Sequence, residues 1–218
     1  MKNDADTALI AKLEEVAEAA LLHEAIGKRG ALNHEFRPAF PGAKLLGRAL
    51  TIRGCPGDNL MFHLAISIAK PGDILVGTVD NFLEGGGWGE IATVASQMRG
   101  VKGLLTDGAV RDVEAAVRLN FPIFSRGICI KGTTKRQKGE LNKPITIGGV
   151  LVHPGDYVVG DMDGVVIVPA AEIESAIAKA HEIRKREAGV IEKLKNGELT
   201  LDLLGMRPTL KELGLDKP

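Results

Sequence analysis

The segment ILVGTVDNFLEGGGWGEIATVASQMRGVKGLLTDGAVRD (residues 74–112) decides the fold, because one structural pattern occurs in it twice. Two short apolar runs, residues 74–79 and 101–106, have the length and the branched side chains of buried β-strands. A glycine-bearing loop with charged residues follows each run, and each loop leads into residues with helical spacing. Strands that alternate with helices predict a mixed α/β layered structure, in which ligands bind beyond the carboxyl ends of the strands.

The rest of the chain extends this pattern on both sides. Before the segment, residues 7–27 predict one helix or two short ones, residues 47–54 alternate like a strand, and residues 58–69 predict a helix with an aspartate at its start. After it, residues 144–169 contain Gly-Gly, Pro-Gly-Asp and Asp-Gly turns between short apolar runs, which predict antiparallel strands. A long helix is predicted from residue 170 to about residue 195.

Composition limits the classes of function. The 218 residues, of which 44% are hydrophobic, suffice for one large domain or one domain with an appendage. The 28 basic and 28 acidic side chains balance, so no charge excess predicts binding to nucleic acid or to an anionic membrane. Cys55 and Cys129 form neither a disulfide framework nor a CxxC motif. No apolar run approaches the ~20 residues of a membrane span, and the N-terminus lacks the apolar core of a signal peptide, so we expect a cytoplasmic protein.

The first charged loop is GGGWGE, residues 85–90. Its glycines allow the backbone to adopt positive φ and to approach a ligand closely. The N–H groups after Glu90 stand at a predicted helix start, where they can hold a carboxylate or a phosphate. The alternative is a mobile loop whose acidic residue is favoured by the helix dipole. The spacing matches neither a dinucleotide-binding motif nor a P-loop.

The second charged loop is TDGAVRD, residues 106–112. Asp112 offers a carboxylate to a hard cation such as Mg²⁺ or Mn²⁺, and Arg111 offers donors to a substrate oxygen. The alternative is an aspartate that caps a helix beside a surface arginine. Two other segments are open to more than one interpretation. His63 is more typical of a histidine at the edge of a core than of a base, and residues 131–140 form either a solvated loop or the rim of a site for dicarboxylates.

Glu187 interrupts an apolar stripe on the predicted C-terminal helix. The other positions of the stripe follow a three-or-four spacing: Ile173, Ile177, Ala180, Arg184, Ile191 and Leu194. Either Glu187 is a charge at the edge of the stripe, paired with a nearby Lys or Arg, or this face meets another subunit and delivers a carboxylate into its site. Periodicity alone leaves both interpretations open.

Taken in order, seven motifs resemble those of one family: PGDNLM, KPGDILVG, GGWGE, VKGLLTDGAVRD, FPIFSRG, NKPITIGGVLVHPGD and GDMDGVVIVP. The family is that of the class II pyruvate aldolases acting on 4-hydroxy-4-methyl-2-oxoglutarate and 4-carboxy-4-hydroxy-2-oxoadipate. It shares a superfamily with the regulator of RNase E activity A. The resemblance runs from about Gly47 to the C-terminus. Asp112, which follows GAVR, and the extension at residues 186–210 favour the aldolase branch.

The resemblance implies a fold and an assembly. Residues 1–169 are expected to form a layered mixed-sheet α-β-β-α domain of the swivelling type, with N-terminal helices. Residues 170–218 are expected to form a C-terminal helical extension that contacts a neighbouring subunit. The assembly implied is a homo-oligomer, a trimer or a hexamer.

The resemblance also implies roles for individual residues. Arg111 matches the substrate-binding arginine, and Asp112 matches the direct metal ligand. Glu90 lies where the family has an acidic residue that holds a water on the metal, and Glu187 matches a glutamate donated by the neighbouring protomer. The residues implied to hold the pyruvyl carboxylate and its surroundings are Gly89, Ile91, Ala92, Thr93 and Val94.

These features predict an enzyme. The reaction expected is cleavage of a 4-hydroxy-2-oxo di- or tricarboxylic acid, dependent on Mg²⁺ or Mn²⁺, to pyruvate and a second oxoacid, with oxaloacetate decarboxylation as a side activity. No Schiff-base lysine motif is recognisable, so a Lewis acid is the natural electron sink. Family members often have an aromatic residue near Leu203 and Leu204, so a different 4-hydroxy-2-oxoacid, or oxaloacetate decarboxylation alone, stays open. The alternative is a non-catalytic regulator of ribonuclease E type that binds its partner through the oligomer surface.

Overall fold

The computed structural model describes residues 2–215, in which strands and helices alternate through the middle of the chain. The helices are α1 Lys2–Glu14, α2 Ala19–Ala25, α3 Leu60–Ile68, α4 Glu90–Met98, α5 Val113–Arg118, α6 Ile173–Lys195, α7 Thr200–Leu203 and α8 Arg207–Glu212. The strands are β1 Arg37–Pro38, β2 Leu45–Arg53, β3 Asp73–Thr78, β4 Gly86–Trp88, β5 Gly103–Thr106, β6 Ala109–Val110, β7 Ile123–Ser125, β8 Gly127–Ile128, β9 Glu140–Leu141, β10 Ile145–Ile147, β11 Val150–Val152, β12 Tyr157–Gly160 and β13 Val165–Val168. Residues 216–218, the end of the predicted extension, lie outside the described residues.

The main sheet has the strand order β1-β7-β5-β3-β2-β12-β13, and β9 pairs with the end of β2. Strands β2, β3, β5 and β7 are parallel, whereas β1, β9, β12 and β13 join the sheet antiparallel. All four residues of β5 are buried, as expected of a parallel strand covered on both faces. Because Gly77 pairs with Thr106, β3 and β5 end at the same edge, and the loops that follow them lie side by side.

Three short parallel strands form a second sheet in the order β4-β6-β8. β4 and β6 belong to the two charged loops, so these loops contain strands that the sequence did not predict. Gly86 pairs with Ala109, and Trp88 pairs with Val110. Glu90 therefore follows the carboxyl end of a strand in this second sheet, and not directly the end of a main strand.

Two β-hairpins follow. β10 and β11 are joined by Gly148 and Gly149, whose φ angles of 56° and 83° suit the two-residue turn that glycine favours. β12 and β13 are joined by residues 161–164. The prediction of antiparallel strands on either side of each turn in residues 144–169 is wrong at one turn. The turn at residues 154–156 joins β11 to β12, and these two strands lie in different sheets.

Alternate residues of the main strands face different layers, because side chains alternate along a strand. Leu75 packs with Leu50 against the helical layer of α3 and α4, in a cluster that contains Trp88. Ile74 and Val76 face the opposite layer, to which the β10-β11 hairpin belongs. α1, α2 and the first half of α6 pack on β12 and β13. The predicted mixed α/β layered fold, with N-terminal helices and a C-terminal helix, is confirmed.

Helix α6 is buried over its first half only. Its buried residues are Ile173, Ala176, Ile177, Ala180 and Ile183, and α7 and α8 contain none. Ile191, Leu199 and Leu204 are exposed apolar side chains in the remainder of this region. Within residues 2–215, no helix is long and apolar enough to cross a membrane.

Candidate functional site

The second sheet brings the two charged loops together. The amide of Arg111 donates to the carbonyl oxygen of Trp88 at 2.8 Å, which extends the pairing of β4 and β6 to their carboxyl ends. Glu90 starts α4 immediately after β4, and Asp112 precedes α5 immediately after β6. Four predicted site residues therefore meet at one edge of this sheet: Gly89, Glu90, Arg111 and Asp112.

A cavity of about 230 Å³ opens at this edge. One group of lining residues comes from the charged loops: Gly86, Gly87, Gly89, Glu90, Ile91, Ala92, Arg111 and Asp112. A second group comes from α3, from the residue before it and from the segment after β8: Asn59, His63, Gly132, Thr133 and Lys135. Thr93, Val94 and Glu187, which the resemblance implies for the site, are not among the lining residues.

Asp112 does not cap its own helix, α5, with its side chain. It occupies the N-cap position of α5, but its carboxylate makes no capping hydrogen bond. Oδ2 instead accepts a hydrogen bond from the amide of Glu90 at 3.0 Å, and it lies 3.6 Å from Nε of Arg111. The backbone of Asp112 is left-handed, with φ 55° and ψ 41°. A non-glycine residue in this region carries strain of about 1–3 kcal/mol, and such residues cluster at functional sites.

Gly86 and Gly89 of the first loop allow a close approach of neighbouring atoms, and the expectation of positive φ is wrong. Gly85, Gly86, Gly87 and Gly89 all have φ outside the left-handed region. A Cβ on Gly89 would lie 2.3 Å from Oδ2 of Asp112. A larger residue at this position would force the carboxylate to move.

Two residues at the start of α4 line the cavity. The N–H groups of a first helical turn have no acceptor within the helix, and Ile91 and Ala92 lie in that turn and line the cavity. The amide of Thr93, by contrast, already donates to the carbonyl oxygen of Gly89 at 3.0 Å. Its hydroxyl accepts a hydrogen bond from the Trp88 indole at 2.9 Å, which ties the helix start to the core.

The partner of Glu90 is not predictable from the sequence. Nη2 of Arg118, on α5, lies 2.6 Å from Oε1 of Glu90. Both side chains are about half exposed, so the ion pair contributes little stability, but it sets the direction of the Glu90 carboxylate. The two residues are 28 positions apart, and no pattern in the sequence links them.

The sequence predicts the α3 side of the cavity only in part. Nδ2 of Asn59 donates to the carbonyl oxygen of Gly87 at 2.9 Å, so Asn59 joins α3 to the glycine loop. Burial and then the positive charge of Lys135 lower the pKa of His63, so its imidazole is neutral at pH 7. Residues 131–140 were predicted to be either solvated or a rim, and Gly132, Thr133 and Lys135 of this segment line the cavity.

Comparison with known proteins assigns the family. A family model described as RraA-like, Aldolase/RraA, matches residues 10–167. The chain belongs to the RraA-like family. A relative of this RraA-like chain from Halalkalibacterium halodurans, named "Putative 4-hydroxy-4-methyl-2-oxoglutarate aldolase", is 36% identical over 157 residues, which cover 72% of this chain and 73% of the relative.

Some solved structures of similar fold belong to proteins that are not named as aldolases. An uncharacterized protein from Pseudomonas syringae pv. tomato matches 92% of this RraA-like chain and 94% of its own, with a TM-score of 0.82 and 25% identity. Streptomyces coelicolor RraAS2, described as an unusual member of the RNase ES inhibitor RraA protein family, matches 85% of this chain and 96% of its own, with a TM-score of 0.75 and 25% identity. Aldolase and ribonuclease-inhibitor names thus both occur among the similar proteins.

The donor set of this RraA-like chain suits a cation that keeps most of its water. Among the described residues, no group of three or more His, Cys, Asp and Glu side chains could enclose a metal ion. Mg²⁺ is commonly bound through one or two carboxylates, with water and substrate oxygens as the other ligands. Asp112, with a half-exposed carboxylate in the cavity wall, fits that arrangement.

Proposed function

We propose that this protein is a divalent-metal-dependent lyase. It cleaves a 4-hydroxy-2-oxo di- or tricarboxylic acid to pyruvate and a second oxoacid, and it decarboxylates oxaloacetate as a side activity. One observation carries the proposal: the carboxylate of Asp112 is turned away from its own helix into a cavity that also contains Arg111 and the start of α4. The aldolase name of the Halalkalibacterium halodurans relative supports the same reaction class.

The chemistry requires a sink for negative charge. Cleavage of the C3–C4 bond turns the C4 hydroxyl into a carbonyl and leaves an electron pair on the pyruvyl fragment, as an enolate. Asp112 would hold a divalent cation, Mg²⁺ or Mn²⁺, and the cation would supply Lewis-acid polarisation of the 2-keto oxygen. Arg111 donates hydrogen bonds to the oxygen on which charge develops, and removing such a donor costs on the order of 10²–10³ in rate.

The start of α4 binds the carboxylate of the pyruvyl group. The amides of Ile91 and Ala92 are unpaired within the helix, and both residues line the cavity. The positive end of the helix dipole favours an anion at this place. The carboxylate bound here directs the 2-keto oxygen towards Arg111, because both groups belong to the same planar 2-oxoacid.

Two carboxylates are candidates for proton transfer. A base removes the proton of the C4 hydroxyl, and an acid later protonates C3 to complete pyruvate. Glu90, oriented by Arg118, transfers the proton through a water in the cavity of its own chain. Glu187 is exposed on α6 and is supplied by a neighbouring copy in a trimer or hexamer.

In the proposed organisation, the chain consists of two parts that meet after residue 169. Residues 1–169 carry the cavity, and residues 170–218 form an extension that contacts the neighbouring subunit. Support comes from the distribution of burial: α6 buries its first half against its own chain, whereas Ile191, Leu199 and Leu204 expose apolar side chains that an interface would cover.

A coupled assay for pyruvate tests the function. The protein is incubated with oxaloacetate or 4-hydroxy-4-methyl-2-oxoglutarate, with Mg²⁺ and then with excess EDTA, and pyruvate is measured with lactate dehydrogenase. We expect release that depends on Mg²⁺ and that Asp112→Ala abolishes. Pyruvate release that is unchanged by EDTA or by Asp112→Ala would refute the metal-dependent mechanism.

A regulator of ribonuclease E type is the second candidate function. It is favoured by the likeness to Streptomyces coelicolor RraAS2, whose description names an RNase ES inhibitor family. Such a protein needs no metal and no substrate. Inhibition of a ribonuclease E by this chain, with no pyruvate release from any 4-hydroxy-2-oxoacid, would favour the regulator over the lyase.

A further inference from the structure

The segment that lines the α3 side of the cavity is held by one buried carboxylate. Asp58 is only 4% exposed. Its Oδ2 accepts hydrogen bonds from the Thr134 hydroxyl at 2.6 Å, from the amide of Arg136 at 2.6 Å and from the amide of Gln137 at 3.2 Å. Its Oδ1 accepts from the amide of Leu60 at 2.9 Å. We call residues 132–137 the rim loop.

Backbone hydrogen bonds reinforce this attachment. The amide of Thr134 donates to the carbonyl oxygen of Gly57 at 2.8 Å, and the amide of Asn59 donates to the carbonyl oxygen of Thr134 at 3.0 Å. The side chain of Asn59 also holds the glycine loop, at the carbonyl oxygen of Gly87. Residues 57–59 therefore join the rim loop to the loop that precedes α4, and so set the width of the cavity between them.

The Asp58 carboxylate stays charged in this setting. Burial by itself raises the pKa of Asp58, but the hydrogen bonds from Thr134 and from the amides of Arg136 and Leu60 outweigh it, and the pKa is lower than usual. A buried carboxylate that lost these donors would be strongly unfavourable. The rim loop is therefore bound to Asp58 in one geometry at neutral pH.

Lys135 stands between the residues that Asp58 holds. It lines the cavity, and its positive charge helps to lower the pKa of His63 on α3. The carboxylates in the cavity wall, Glu90 and Asp112, belong to the charged loops, and none comes from the α3 side. A dianionic substrate whose 2-oxoacid end lies at Arg111 would thus meet a cation at its other end.

We propose that Lys135 is the specificity-determining residue that binds the distal carboxylate of the substrate. Asp58 is the positioning residue: it holds the rim loop so that Lys135 reaches that carboxylate. The inference rests on the proposed function, because the oxoacid must bind at Arg111 for its far end to reach Lys135. It predicts that the site selects 2-oxoacids with a second carboxylate over those with a neutral tail.

A pair of substrates tests the role of Lys135. One is 4-hydroxy-4-methyl-2-oxoglutarate, and the other is 4-hydroxy-2-oxopentanoate, which has no distal carboxylate. Lys135→Gln should lower kcat/KM for the first about 10-fold, mainly through KM, because a hydrogen-bonded charge is lost, and should change that for the second less than about twofold. Lys138→Gln is the matched control: Lys138 is exposed in the same segment but does not line the cavity, and its loss should affect neither substrate.

The binding of uncleavable analogues tests the role of Lys135 independently of the lyase activity. 2-Oxoglutarate and 2-oxopentanoate, with and without the distal carboxylate, are titrated calorimetrically into the wild type and into Lys135→Gln with Mg²⁺ present. If Lys135→Gln weakens the binding of 2-oxoglutarate but not that of 2-oxopentanoate, the inference is supported. This holds even if the protein releases no pyruvate, a result that would refute only the lyase function. Equal effects of Lys135→Gln on both analogues, or no effect on either, would refute the inference and leave the lyase function standing.

Asp58→Asn tests the positioning role. The substituted amide turns N–H groups towards donors of the rim loop, so we expect the same rise in KM for the distal carboxylate and faster hydrogen exchange at the amides of Arg136 and Gln137. Combined with Lys135→Gln, it should add no further loss. If Asp58→Asn does not fold, Thr134→Val, which removes one donor only, takes its place. Unchanged selectivity together with a loosened rim loop would show that Asp58 is merely structural and would refute its positioning role.

Discussion

Replacing Gly89 by alanine would put a methyl group where the carboxylate of Asp112 now lies. The new Cβ would stand 2.3 Å from Oδ2 of Asp112 and 3.2 Å from Cγ and Nε of Arg111, whereas ordinary contacts begin at 3.4 Å. The backbone of Gly89 is extended, with φ −157°, and alanine adopts it without strain. The whole effect therefore arises from the contact with the two residues to which we assign the metal and the enolate oxygen.

The displacement sets the size of the effect. Oδ2 has to retreat by roughly 1 Å, and a misplacement of that size at a reacting group costs about 10²-fold in rate. The retreat also breaks the hydrogen bond from the amide of Glu90, which contributes about 1 kcal/mol or less because the Asp112 side chain is half exposed. We therefore expect a large loss of activity with a small loss of stability.

Gly87→Ala provides the matched control. A Cβ on Gly87, two residues earlier in the same loop, would meet no atom within 4 Å, and its φ is not in the left-handed region. In the coupled pyruvate assay with Mg²⁺, we expect kcat/KM to fall about 100-fold for Gly89→Ala and less than about threefold for Gly87→Ala. Urea unfolding should show both variants close to the wild type. Full activity of Gly89→Ala, or an equal loss in Gly87→Ala, would refute this account of the site.

Two further predictions concern assembly and pH. If Glu187 acts in a neighbouring site, mixed oligomers of Glu187→Ala and Arg111→Ala chains should recover part of the activity that each lacks alone, because some sites then contain both wild-type residues. No recovery in verified mixed oligomers would contradict the shared site. For Asp58, a folded-state pKa below the ordinary 3.8 contributes stability above that value, and the contribution is lost as pH falls through the folded-state pKa. The difference in unfolding free energy between the wild type and Asp58→Asn should therefore shrink as pH falls below about 4, and a difference that stays constant with pH would show that the charge of Asp58 is not involved.

Local patterns in the sequence predicted much of the fold. Strands β3 and β5 follow from short apolar runs, and helix α6 follows from its helical spacing, because burial of a strand or a helix requires apolar residues in the pattern of that structure. The Gly148–Gly149 turn follows from the φ that only glycine adopts readily. The order of the motifs also pointed to Arg111 and Asp112, whose residue types limit the chemistry they can perform. Each of these inferences depends on residues close together in the chain.

Only the tertiary structure shows the contacts between segments that are far apart in the sequence. Strands β4, β6 and β8 have only two or three residues each, so no periodicity reveals them, and they exist because their partners lie beside them. Gly89 looked like a source of positive φ, and only the position of the Asp112 carboxylate shows that it makes room for a side chain 23 residues away. Likewise Asp58 resembled a helix-start aspartate, and its attachment to the rim loop spans more than 70 residues. A sequence pattern records the environment along one strand or helix, whereas close contacts and buried hydrogen bonds between loops depend on how those strands and helices are packed.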